Sequence, residues 1–160
     1  MGKIYGHRLN HGMQMKVVVF VVILLIGYVP VSLVAHGYSG HRGLSVLSQA
    51  NELAEKASSM QDFQNALAKY EEALKIFETA GSPRQQGAVL NNIAVVYNMW
   101  GQYTKALEYY ERSLEKRRTA GDREGEGITL NNIGLVYDSM GEYGRALDYY
   151  EKSVELTRKT

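Results

Sequence analysis

The sequence predicts an all-α chain, an α-solenoid of about three helix hairpins set behind an N-terminal hydrophobic helix. Three observations predict it. Asn91-Asn92-Ile93 returns forty residues later as Asn131-Asn132-Ile133, and 15 of 30 positions are identical when 91–120 is laid over 131–160. A fixed period of that size is the signature of stacked repeats. Within each copy the apolar residues recur at three- and four-residue intervals, as one face of a helix requires, and glycine or proline falls where those stretches end.

The leader comes first in the chain. Residues 1–16 carry Lys3, Arg8 and Lys16 and no acid, whereas all 17 acidic residues lie after position 41. From Val17 to His41 there is no charged side chain, and Val17 to Ile26 is unbroken apolar sequence. Extended to Ala35 the run reaches about 19 residues, close to the ~20 that span a bilayer as a helix. Two readings of 17–37 stay open. One is a cleaved signal peptide, with Pro30 as breaker and Ala35 and Gly37 as the small pair. The other is an uncleaved transmembrane anchor, since Leu33 stands where cleavage after Ala35 wants a small residue. Either way the positive-inside rule places the body outside the cytoplasm, exported or membrane-anchored. Met15-Lys16 directly before the apolar run also suits a signal-peptide start, so Met13 or Met15 competes with Met1 as the true beginning.

A linker is expected at 38–46 and the repeats after it, at about 47–80, 87–120 and 127–160. Leu130, Ile133, Val136 and Tyr137 form the first apolar face of the last unit; Gly141 breaks it; Tyr143, Ala146, Leu147, Tyr150 and Val154 form the second. Helices are thus expected at about 45–60 and 62–80, 84–100 and 102–120, and 124–140 and 142–159. Gly81-Ser82-Pro83 and Gly121-Asp122 divide the units, because Gly readily ends a helix in the left-handed conformation and Pro cannot continue one.

These residues resemble the tetratricopeptide repeat. The third unit reads Leu130, Ile133-Gly134, Tyr137, Gly141, Tyr143, Ala146, Tyr150, Ser153, and the second Leu90, Ile93-Ala94, Tyr97, Gly101, Tyr103, Ala106, Tyr110, Ser113. The first keeps Leu53, Phe63, Ala66, Tyr70 and Ala73 but departs at the tyrosine (Ala57) and the turn glycine (Gln61), as an N-terminal cap would. The forty-residue period and the phrase at 90–97 are similar to the repeats of kinesin light chains and of bacterial signalling proteins. The aromatic stripe reads as core.

The resemblance implies a protein–protein interaction scaffold that holds an extended peptide in a concave groove lined by the first helix of each unit. It maps the groove asparagine onto Asn51, Asn91 and Asn131, with Asn98 and Asp138 beside them. A carboxamide both donates and accepts, which suits a peptide backbone; the competing reading is that these asparagines bond neighbouring helices. The groove positions lack Lys and Arg, so capture of a C-terminal carboxylate is not expected. Two alternatives accompany the scaffold: a structural protein that self-assembles through the uncapped C-terminal end, and the front part of a larger signalling protein.

Other chemistry is not expected. The absence of cysteine excludes disulfides, zinc–thiolate sites and thiol nucleophiles. The body carries about −2, no footprint for nucleic acid. His7 and His11 stand four apart without a third ligand, the glycines sit at turns rather than in a phosphate loop, and Lys116-Arg117-Arg118 reads as a solvated helix face. Asp138 and Glu142 have no arrangement of partners for acid–base work. No enzyme activity, metal or cofactor is expected.

Overall fold

The computed structural model describes residues 31–158. The chain divides into two compact units, Met1–Gly37 and Tyr38–Thr160. The basic segment 1–16 and residues 17–30 of the expected signal or anchor lie outside the described residues. Among the described residues no helix is long and apolar enough to cross a membrane.

Every regular element described is helical: α1 (Val31–Glu55), α2 (Met60–Thr79), α3 (Pro83–Met99), α4 (Tyr103–Thr119), α5 (Arg123–Ser139) and α6 (Tyr143–Arg158). The last five lie within two residues of their expected limits. In α3–α4 and α5–α6 each helix packs against the next, α2 against α3 and α4 against α5 join successive hairpins, and the first helices α3 and α5 also touch.

Glycine closes the first helix of the later hairpins. Gly101 and Gly141 adopt φ of 73° and 76°, and each leads a pair of capping bonds: Gly101 N–H to Asn98 O at 2.9 Å, then Gln102 N–H to Tyr97 O at 2.8 Å. This satisfies carbonyls the helix leaves open, in a conformation that costs other residues a Cβ clash. Gly81 and Gly121 do the same between hairpins.

The first hairpin, which has Gln61 instead of that glycine, uses a different device. The Asp62 N–H donates to Ser59 Oγ at 3.2 Å while the Ser59 N–H donates to the Asp62 carboxylate at 2.9 Å. This capping box starts α2 at Met60. The hydrogen bond from the Ser59 hydroxyl, then those from the Ser58 and Ser59 N–H groups, hold the Asp62 carboxyl below its usual range.

Three expectations change. Residues 38–46, read as a linker, are helical, and α1 begins at Val31 and ends at Glu55 instead of about 45 and 60. No proline interrupts 31–55, and Gly43 is a packing site: a Cβ there would lie 2.6 Å from the Phe77 ring. Arg117, read as part of a solvated run, is buried with Asp122, because it occupies the position that Phe77 fills one repeat earlier. The aromatic stripe is core only in part. Tyr70, Tyr110 and Tyr137 are buried, but Tyr97 and Tyr109, half-buried, stack at 5.3 Å beneath Lys105 and Arg112. Tyr137 and Tyr149 repeat that stack at 5.4 Å beneath Arg145 and Lys152. A cation over each ring stabilises it where the ring edge meets water.

Candidate functional site

The structure places the five predicted residues on first helices but gives them different roles. Asn51 is half-buried, Asn91 buried, Asn131 exposed, Asn98 half-buried and Asp138 exposed. Asn51 and Asn91 each spend their carboxamide oxygen between repeats. Asn92 Nδ2 donates to Asn51 Oδ1 at 3.0 Å, and Asn132 Nδ2 donates to Asn91 Oδ1 at 3.1 Å. The two bonds are the same rung, repeated once. Adjacent residues on a helix point about 100° apart. The first Asn of each pair can thus face the following repeat and the second the preceding one.

Further donors hold each rung. Tyr70 Oη donates to Asn51 Oδ1 at 2.7 Å. Burial pushes that hydroxyl up to about 12, so it keeps its proton and goes on donating. Thr129 Oγ1 donates to Asn91 Oδ1 at 3.2 Å. Asn92, Asn132 and Thr129 were not singled out as site residues by sequence reasoning, and Tyr70 was read only as core. Asn92 and Asn132 were visible as the second half of a doubled asparagine with the same period.

What remains open on the first-helix face is a shallow depression lined by Asn51, Glu55, Tyr70, Asn92, Val95 and Met99. One turn on from Val95, Asn98 Oδ1 is buried and accepts no hydrogen bond among the described residues. Buried polar atoms are nearly always paired, so this oxygen lacks a donor that its burial calls for. In the next repeat Asn131, Leu135 and Asp138 are all exposed. The site therefore offers carboxamides and two carboxylates, Glu55 and Asp138, around an apolar strip. Among the described residues no three His, Asp or Glu side chains gather where a metal ion could sit.

A family model described as the tetratricopeptide repeat matches this chain over residues 45–119 and again over 85–159. No curated protein matches it. Among solved structures, the crystal structure of the TPR domain of Arabidopsis FLU is similar to it with a TM-score of 0.65 at 15% identity, over 76% of this chain and 99% of that one. At that identity the likeness speaks for the fold alone. The family match is a sequence match across both repeat junctions, and the chain belongs to the tetratricopeptide-repeat family.

Proposed function

We propose that this protein binds an extended peptide or partner segment along the first-helix face of its repeats, outside the cytoplasm and without catalysing a reaction. The coarser part follows from the family, whose repeat fold serves protein–protein interaction. The observation that carries the finer part is the open depression lined by Asn51, Glu55, Asn92, Val95 and Met99, with Asn131, Leu135 and Asp138 exposed one repeat on. Asn98, one turn on from Val95, would accept a bound backbone N–H once its buried, unpartnered Oδ1 turns outward. Asn131 and Asp138 would meet the same segment one repeat on, and Asn51 would reach it through its amino group.

The rungs divide the asparagines into two experimental classes. Asn91→Ala removes the acceptor of Thr129 and Asn132, and is expected to lower stability by about 1–3 kcal/mol. Asn98→Ala with Asn131→Ala gives up no hydrogen bond made within the described residues, so its melting temperature should hold. Its binding should weaken by two bonds of about 0.5–1.5 kcal/mol each, or about five- to a hundredfold. A photo-crosslinking residue at Leu135 should capture the partner where one at Glu108 on α4 does not, and the Asn98/Asn131 variant should lose the capture. A stable variant that binds normally, or equal capture from both positions, would overturn the groove.

The charge split of the leader, +3 before the apolar run, supports the location. A reporter that works only in an oxidising compartment, fused after Thr160, is expected to be active. Activity confined to a cytoplasm-dependent reporter would refute the topology.

A further inference from the structure

The outer face of α6 has the surface that α2 and α4 bury. Leu67, Tyr70 and Leu74 of α2 are buried in the first core cluster with Leu90, Ile93 and Val96 of α3. Tyr110 and Leu114 of α4 are buried with Leu130, Ile133 and Val136 of α5, with Leu107 packed alongside. The corresponding residues of α6 are Leu147, Tyr150 and Val154. Leu147 and Val154 are 57% and 47% exposed, and Tyr143 ahead of them is 70% exposed.

Two polar features of the same junction stand open beside that strip. Asn131 occupies the acceptor position of the rung, where Asn51 and Asn91 each receive an Nδ2–H from the following repeat. It is exposed and accepts no hydrogen bond among the described residues. Arg158 corresponds to Arg118, whose Nε donates to Glu126 of α5 at 2.6 Å; it too is exposed and carries no ion pair among the described residues. The rung of both closed junctions and the ion pair of the second thus define what closes the third.

We infer that the α6 end face is a docking surface for an amphipathic helix of a partner polypeptide. That helix carries an Asn donor for Asn131, an acid six residues before it for Arg158, and apolar residues two before and one, four and five after the Asn. α5 has this pattern, in Glu126, Leu130, Asn132, Ile133, Val136 and Tyr137. A second copy stacked head to tail does not supply it. The corresponding positions in and after its α1 hold Ala50, Glu52, Leu53, Lys56 and Ala57. Glu52 has no proton to donate at neutral pH, Lys56 would replace a buried valine, and α1 has already ended at Glu55. The apolar strip drives association by burial, while the rung and the ion pair set register and direction.

The test uses the full chain and a fluorescent synthetic peptide of residues 121–142. Saturable binding is expected, with a gain of helicity in the peptide. Replacing the peptide's Asn132 by Ala should weaken it by about two- to tenfold, the worth of one hydrogen bond. Leu147→Asp with Val154→Asp should abolish it, and because both side chains are exposed the variant should keep its circular dichroism. Binding no better than a scrambled peptide overturns the inference. So does binding that survives the double Asp variant, which would mean that the peptide displaces α5 itself. A concentration-dependent dimer lost in that variant, with no peptide binding, overturns it in favour of two α6 faces packed on each other.

Discussion

Asp122→Ala is expected to lower the stability of the repeat body by about 3–5 kcal/mol, the cost of removing one partner of a buried ion pair. Asp122 Oδ2 accepts from Arg117 Nη1 at 2.8 Å, and the two side chains are 5% and 9% exposed. Without the carboxylate, the Arg117 guanidinium is left in the junction between α4 and α5 with only Ser113 Oγ, at 3.3 Å, as acceptor. The Arg117 side chain lies packed across Gly87 and Gly125, where added Cβ atoms would fall 2.7 Å from its Cγ and 1.5 Å from its Nη1. Asp122 also caps α5 through the Gly125 N–H, and that is lost as well. Thermal unfolding followed by circular dichroism should shift down by on the order of 10 °C or more. Arg84→Ala removes the other partner of Asp122, but from a side chain 66% exposed, and should cost no more than about 1 kcal/mol. Arg117→Met with Asp122→Asn keeps a capping side chain and removes both charges, and should recover most of the loss. A near-native melting temperature for Asp122→Ala would show that the pair is not a support of the junction.

The same pair gives stability a pH signature. The hydrogen bond from Arg84, then the Gly125 N–H and the charge of Arg117, hold the Asp122 carboxyl below its usual 3.8 against the opposing effect of burial. A carboxyl depressed in the folded state stabilises fully above its unfolded value and loses that contribution as the pH falls through the folded one. The stability gap between the wild type and Asp122→Asn is thus expected to be constant at neutral pH and to close below about pH 4.

The repeat period, the helix hairpins and their glycine stops were legible because each rests on local chemistry. Gly101 and Gly141 sit where a left-handed residue is needed, and an apolar face needs only spacing. Legibility failed where a neighbouring element decides. Arg117 lies in a run of three cations, and nothing local separates it from Lys116 and Arg118. Only its register with Phe77 does, forty residues earlier, and register shows an inward position without showing that an arginine fills it. The asparagines failed differently. A period of forty aligns Asn51, Asn91 and Asn131 with one another, but the bonds run across forty-one residues, from Asn92 and Asn132. Periodicity compares equivalent positions and is blind to a contact between inequivalent ones. The start of α1 was hidden by Gly37, Gly40 and Gly43, which lower helix propensity, although Gly43 is there to admit the Phe77 ring.

Tyr110→Ala is expected to cost about 3–5 kcal/mol, as for other large aromatic-to-alanine changes in a core, and its value lies in comparison with Tyr150→Ala. The two tyrosines hold the same position in successive repeats. Tyr110 is 1% exposed, the largest of the fully buried side chains among the described residues, in one core cluster with Ala94, Leu114, Leu130 and Ile133. Burial also pushes its hydroxyl well above the usual tyrosine range, so it stays neutral in its pocket. Tyr150 packs over Gly134 on one side, where an added Cβ would lie 2.5 Å from its ring, and is only half-buried because no described helix covers its other side. Its removal forfeits contacts with one helix where Tyr110 loses contacts with two, and water can enter the space left behind. Tyr150→Ala should therefore cost less than half as much. In a stack where each repeat touches only its neighbours, stability is a sum of repeat and junction contributions, and this pair of variants measures one junction by subtraction. Chemical denaturation of both, with unchanged slopes, would provide the check; equal losses would mean that Tyr150 is already as well covered in solution as Tyr110.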